Sequence, residues 1–104
     1  MSEPDLQYIR EDLGVSELLA QLAEEAGKLA HAALKLRRAY DGKNPAPIDP
    51  DEAFENLLEE IGDVDNCLEA LELDDPKYAI QMYKNKEDKI KRWAWRLRNK
   101  EQKG

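Results

Sequence analysis

The chain has 104 residues, 41% hydrophobic and 38% charged, with 16 lysines and arginines against 23 aspartates and glutamates. A net charge of −7 repels a phosphate backbone and argues against duplex binding, and five prolines and five glycines are too few for a disordered or collagenous chain. The one cysteine, Cys67, forms no internal disulfide and suits a reducing cytoplasm; the first fifteen residues carry charges and no apolar core, so no signal peptide is expected, and no apolar run approaches the ~18 residues of a membrane span.

One domain is expected over the whole length, with no nucleic-acid or membrane partner. Ser2, Glu3, Pro4 and Asp5 make a helix start, and Gly14 a stop, so a short first helix covers about 4–12. Ser16 and Glu17 open a second helix that runs to about Tyr40. The stretch DGKNPAPIDP at 41–50 reads as a loop. A third helix starts near Pro50 or Asp51 and runs to about Leu73, where Asp74-Asp75-Pro76 breaks it. A fourth runs from about Pro76 to Lys100, and 99–104 reads as a flexible polar tail. No alternation of period two appears, so the class is all-α: an antiparallel bundle of about four helices, one of them short.

Carboxylates interrupt two of the apolar stripes. On the second helix Leu18, Leu22, Glu25, Leu29, Ala33, Leu36 and Tyr40 share a side, with Glu25 in the middle. On the third, Ala53, Leu57, Glu60, Val64, Cys67 and Leu71 do so, with Glu60 mid-stripe and Asp63 flanking it. Antiparallel packing brings the three acids together. Three facing carboxylates repel, and burying them unpaired costs several kcal/mol, so a divalent metal is one way to neutralise them. The other is a wider stripe, with Glu25 and Glu60 at its edge and paired to Lys28, Lys35 or Arg37.

These motifs resemble the MazG-like all-α nucleoside triphosphate pyrophosphohydrolases. The family pattern is E-E-x-x-E on one helix and E-x-x-D on the next. This chain has Glu24-Glu25-Ala26-Gly27-Lys28 and Glu60-Ile61-Gly62-Asp63. The LLAQLAEE approach, the Asn44-Pro45-Pro47 loop and the late Lys89, Arg92 and Trp93 extend the likeness over about 16–97. The resemblance implies that Glu25, Glu60 and Asp63 ligate Mg²⁺, with Mn²⁺ able to replace it. It also implies hydrolysis of a nucleoside triphosphate to the monophosphate and pyrophosphate, as nucleotide-pool housekeeping by a cytoplasmic homo-oligomer.

Lys28 departs from the pattern, standing where the family has a glutamate. A protonated lysine has no lone pair to offer a metal. Either it swings outward and Glu24 or Glu59 completes the site, or it pairs with Glu60 and Asp63 and replaces the metal. The second outcome would make the chain a binding-only relative. A third reading is an interaction bundle with all its acids solvated.

Candidate water-orienting groups are Glu24, Glu60 and Asp63. Lys89 and Arg92 are expected to hold outer phosphate oxygens. Gln21, Asn66 and Asn85 can hydrogen-bond a base or sugar, and Lys28 borders the same site. Trp93, with Ile90 and Leu97, reads as core. Trp95, two residues on, then faces outward and hints at a partner subunit. His31 has no second histidine for a zinc site, and Cys67 reads as a small buried residue.

Overall fold

The computed structural model describes residues 3–42 and 48–103, the last three by backbone alone. Ser2, the Asn44-Pro45-Pro47 loop and Gly104 lie outside the described residues. Those described are helical, with no strand: α1 Glu3–Asp41, α2 Pro50–Ala70, a 3-10 turn Pro76–Tyr78 and α3 Ala79–Lys103. None of these helices is long and apolar enough to cross a membrane. The chain divides into two compact units, residues 1–73 and 74–104.

The first two expected helices are one run with a break. Gly14 has φ 75° and ψ 169° inside α1, a conformation that glycine adopts and side-chain-bearing residues avoid. Nothing lies within 4 Å of a Cβ placed there, so the backbone angle alone selects glycine. The break leaves an arm, 3–13, and a stem, 15–41.

α2 starts as its sequence dictates. Asp49 accepts the Asp51 N–H at 2.9 Å, and Pro50 stands at a position whose N–H needs no helical partner. The helix ends at Ala70, short of the expected Leu73. Glu72 turns into the left-handed region at φ 60°. Its N–H meets the Glu69 carbonyl at 3.0 Å, and the Leu73 N–H meets that of Leu68 at 2.9 Å. This is the Schellman closure, with glutamate where glycine is usual.

Arg10 ties the arm to that helix end. It donates to the carbonyls of Ala70 and Glu69, both at 2.9 Å, and pairs with Glu72 at 3.3 Å and Glu3 at 2.8 Å. A guanidinium is well matched to the unpaired carbonyls and negative end of a helix. Leu6, Leu18 and Ala70 form a small buried cluster beside it, with Leu71 against it. The start of α1 thus meets the end of α2, and the two helices run antiparallel.

In the second unit, Asp75 accepts the Lys77 N–H at 2.9 Å and opens the 3-10 turn. α3 then continues to Lys103, so 99–103, expected as tail, are helical in backbone. Trp93, Ile90 and Leu97 are not core within this unit: Trp93 is 62% exposed, and the other two are also mostly exposed. The unit is one helix and a short turn, which has no apolar surface of its own to set against that stripe.

Candidate metal centre

The stem of α1 buries Leu18, Glu25, Ala32 and Leu36. Leu22 and Leu29 are half-buried. Ala33 and Tyr40, expected on the inner side, are exposed, because the seam follows the seven- and four-residue steps through Ala32. On α2, Ala53, Cys67 and Ala70 are buried, and Leu57, Glu60, Val64 and Leu71 half-buried. Asp63 stands on the exposed flank of that stripe.

Glu25, Glu60 and Asp63 each bring one carboxylate oxygen to within 4.8 Å of the others. Glu25 is only 7% exposed. Its Oε1 accepts from Gln21 Nε2 at 2.9 Å and Lys28 Nζ at 3.3 Å. Its Oε2 is buried with no partner, and so is Glu60 Oε2. A buried acceptor left unsatisfied costs about 1–3 kcal/mol. With Asp63 beside them, these two atoms make a group that could hold a metal ion.

The donor set suits a hard divalent ion. An octahedral Mg²⁺ at about 2.1 Å from its ligands sets their oxygens about 3–4 Å apart. All three donors are carboxylate oxygens, which favour Mg²⁺, Mn²⁺ or Ca²⁺ over softer metals.

Lys28 makes the pairing with Glu25 that the wider-stripe alternative offered. It pairs with Glu25 at 3.3 Å and Glu24 at 3.7 Å, not with Glu60 and Asp63. Residues three and four apart on one helix are already neighbours, so the ammonium reaches its own helix first. Its hydrogen bond to Glu25, then the charges of Glu25 and Glu24, push its pKa above the usual lysine value. The edge-of-stripe alternative holds for the Glu25–Lys28 pairing but not for position, since Glu25 is buried. Arg37 pairs instead with Asp41 at 3.7 Å.

A cavity of about 410 Å³ opens beside the cluster. Leu6, Ile9 and Leu13 of the arm, with Leu18 and Ala70, form its apolar wall, and Gln21, Glu25, Asp63 and Asn66 its polar end. Cys67 also lines it. Burial pushes the Cys67 thiol up, and the charges of Glu25 and Asp63 add to this.

Five candidate residues, Gln21, Glu25, Glu60, Asp63 and Asn66, therefore converge on the cluster and its cavity. Glu24 is exposed and tied to Lys28. Asn85, Lys89 and Arg92 belong to the second unit, where Lys89 and Arg92 share a groove with Trp93 and Arg96. His31 is exposed. The contribution of the arm was not legible as function. Its one signal is Leu6, Ile9 and Leu13 at steps of three and four. The chain matches no protein-family model, no curated protein and no solved structure.

Proposed function

We propose that this protein is a Mg²⁺-dependent nucleoside triphosphate pyrophosphohydrolase of MazG-like type, acting on the cytoplasmic nucleotide pool as a homo-oligomer. The observation that carries the reading is the pair of buried, unpartnered oxygens of Glu25 and Glu60 beside Asp63. Bound there, a divalent ion would neutralise the cluster and spread charge building on phosphate oxygens. Glu25, Glu60 and Asp63 hold it, and Glu24, Glu60 or Asp63 orients the attacking water.

The apolar wall of the cavity takes the base or sugar, with Gln21 and Asn66 as hydrogen-bonding groups at the polar end. Support for the oligomer comes from exposed apolar residues on separate elements. Phe54, Leu58 and Ile61 repeat at helical spacing on α2, and Ile90, Trp93 and Leu97 on α3.

A second reading has one observation in its favour. Lys28 lies 3.3 Å from Glu25, where the family pattern has a further carboxylate, and it fits a nucleotide-binding relative without turnover. Pyrophosphate release from a panel of NTPs and dNTPs, with Mg²⁺ or EDTA, separates the two. Release that needs Mg²⁺ and falls on the order of 10²-fold or more in Glu60→Gln supports the enzyme. Nucleotide binding without release supports the relative. Neither binding nor release rejects both.

A further inference from the structure

Lys28 has a consequence beyond its charge, and it follows from how the two oxygens of Glu25 are used. Oε1 is occupied by Gln21 Nε2 at 2.9 Å and Lys28 Nζ at 3.3 Å. Oε2 is buried and unpartnered. Oε2 is therefore the Glu25 oxygen left without a donor. A chelating, two-oxygen grip on an ion would require Oε1 to leave both donors. We propose that Lys28, with Gln21, holds Glu25 to a single donor oxygen and so makes the cluster a one-ion site that selects Mn²⁺ or Mg²⁺ over Ca²⁺. This rests on the metal reading given above.

Selectivity follows from coordination. Ca²⁺ takes six to eight oxygens and commonly gathers them through two-oxygen carboxylates. Mg²⁺ keeps several waters and is content with one or two carboxylates and substrate phosphates. One oxygen fewer from Glu25 leaves more of the ion's shell to water and phosphate. That arrangement serves the smaller ion. The limit of one ion follows from charge. Three carboxylates carry −3, and a Lys28 ammonium on Glu25 brings the group to −2. One divalent ion neutralises that, and a second would bring the group to a net +2.

Lys28 is a positioning residue here, since it acts through Glu25. Its side chain is 51% exposed, so its replacement leaves the packing intact. The test uses the full-length chain stripped with EDTA, titrated with Mn²⁺ by electron paramagnetic resonance, with Ca²⁺ as competitor. Circular dichroism checks the helix content of each variant. The unaltered chain is expected to bind one Mn²⁺, with Ca²⁺ displacing it poorly.

Lys28→Met keeps the aliphatic stem and removes charge and donor. Mn²⁺ should tighten by about tenfold, and Ca²⁺ should gain more than Mn²⁺ does. Lys28→Glu should admit a second Mn²⁺, and Lys28→Arg should keep the original preference. If Mn²⁺ binds the unaltered chain but stoichiometry and the Ca²⁺ to Mn²⁺ ratio stay the same in Lys28→Met and Lys28→Glu, the role of Lys28 is overturned and the metal site stands. If no version binds Mn²⁺, the metal site itself falls, and the selectivity with it.

Discussion

Residues 1–73 carry 18 acids against 6 lysines and arginines, a net −12, and residues 74–104 carry 5 against 10, a net +5. The two units differ as much in packing as in charge. α2 buries Ala53, Cys67 and Ala70 and half-buries the residues between them. α3 has an apolar stripe of similar spacing and buries no described side chain. Amphipathic spacing shows that a helix has a side to cover. It does not say what covers it, because burial depends on a second surface. α2 has one in the stem of α1.

The sharpest way to break this comparison is to remove the same side chain from each unit. Leu18 is 4% exposed and Leu97 52%. Leu18→Ala should destabilise the chain by about 3 kcal/mol, and Leu97→Ala by less than about 0.5 kcal/mol, as read from urea midpoints. Equal losses would mean that the α3 stripe is covered in solution.

Gly14→Ala comes next. The angles φ 75° and ψ 169° admit a Cβ only with strain of about 1–3 kcal/mol, and thermal melting should show it. An unchanged melting temperature would mean that the arm straightens freely, and that the acidic unit does not depend on its fold-back.

A smaller effect separates two arginines. Arg10→Met removes two bonds to carbonyls at 2.9 Å and should cost about 1–2 kcal/mol. Arg92→Met, on exposed α3, should fall within about 0.5 kcal/mol of the unaltered chain. A matching loss would place Arg92 in a contact of its own.

The smallest effect is at Cys67. Its pKa lies above the usual thiol value, chiefly through burial, so the folded state favours the neutral thiol. The associated stability is full below the ordinary thiol pKa and declines as pH rises through the raised one. Reaction with a disulfide reagent near neutral pH should be slow in the native chain and rapid in urea. Fast native reaction would show that the cavity wall opens readily.

Much of the fold was legible because local chemistry decides it. Proline at the first position of α2 and Gly14 as a break are both chain-neighbour effects. So was the placing of Glu25 and Glu60 inside apolar stripes, since helical spacing alone puts them there. The end of α2 was misjudged by three residues because Glu72 adopts a conformation usually left to glycine. That choice coincides with its pairing to Arg10, sixty-two positions away.

The sequence by itself determined the helices, their polarity and the three carboxylates that share a seam. Tertiary structure decided what no spacing carries. It folded the arm back to wall a cavity, left one oxygen of Glu25 and one of Glu60 without partners, and paired Lys28 with Glu25 in preference to Glu60 and Asp63. The reason is distance. Stripes and caps depend on residues a turn apart, whereas the state of a buried oxygen depends on which atoms of another helix come within 3–4 Å of it.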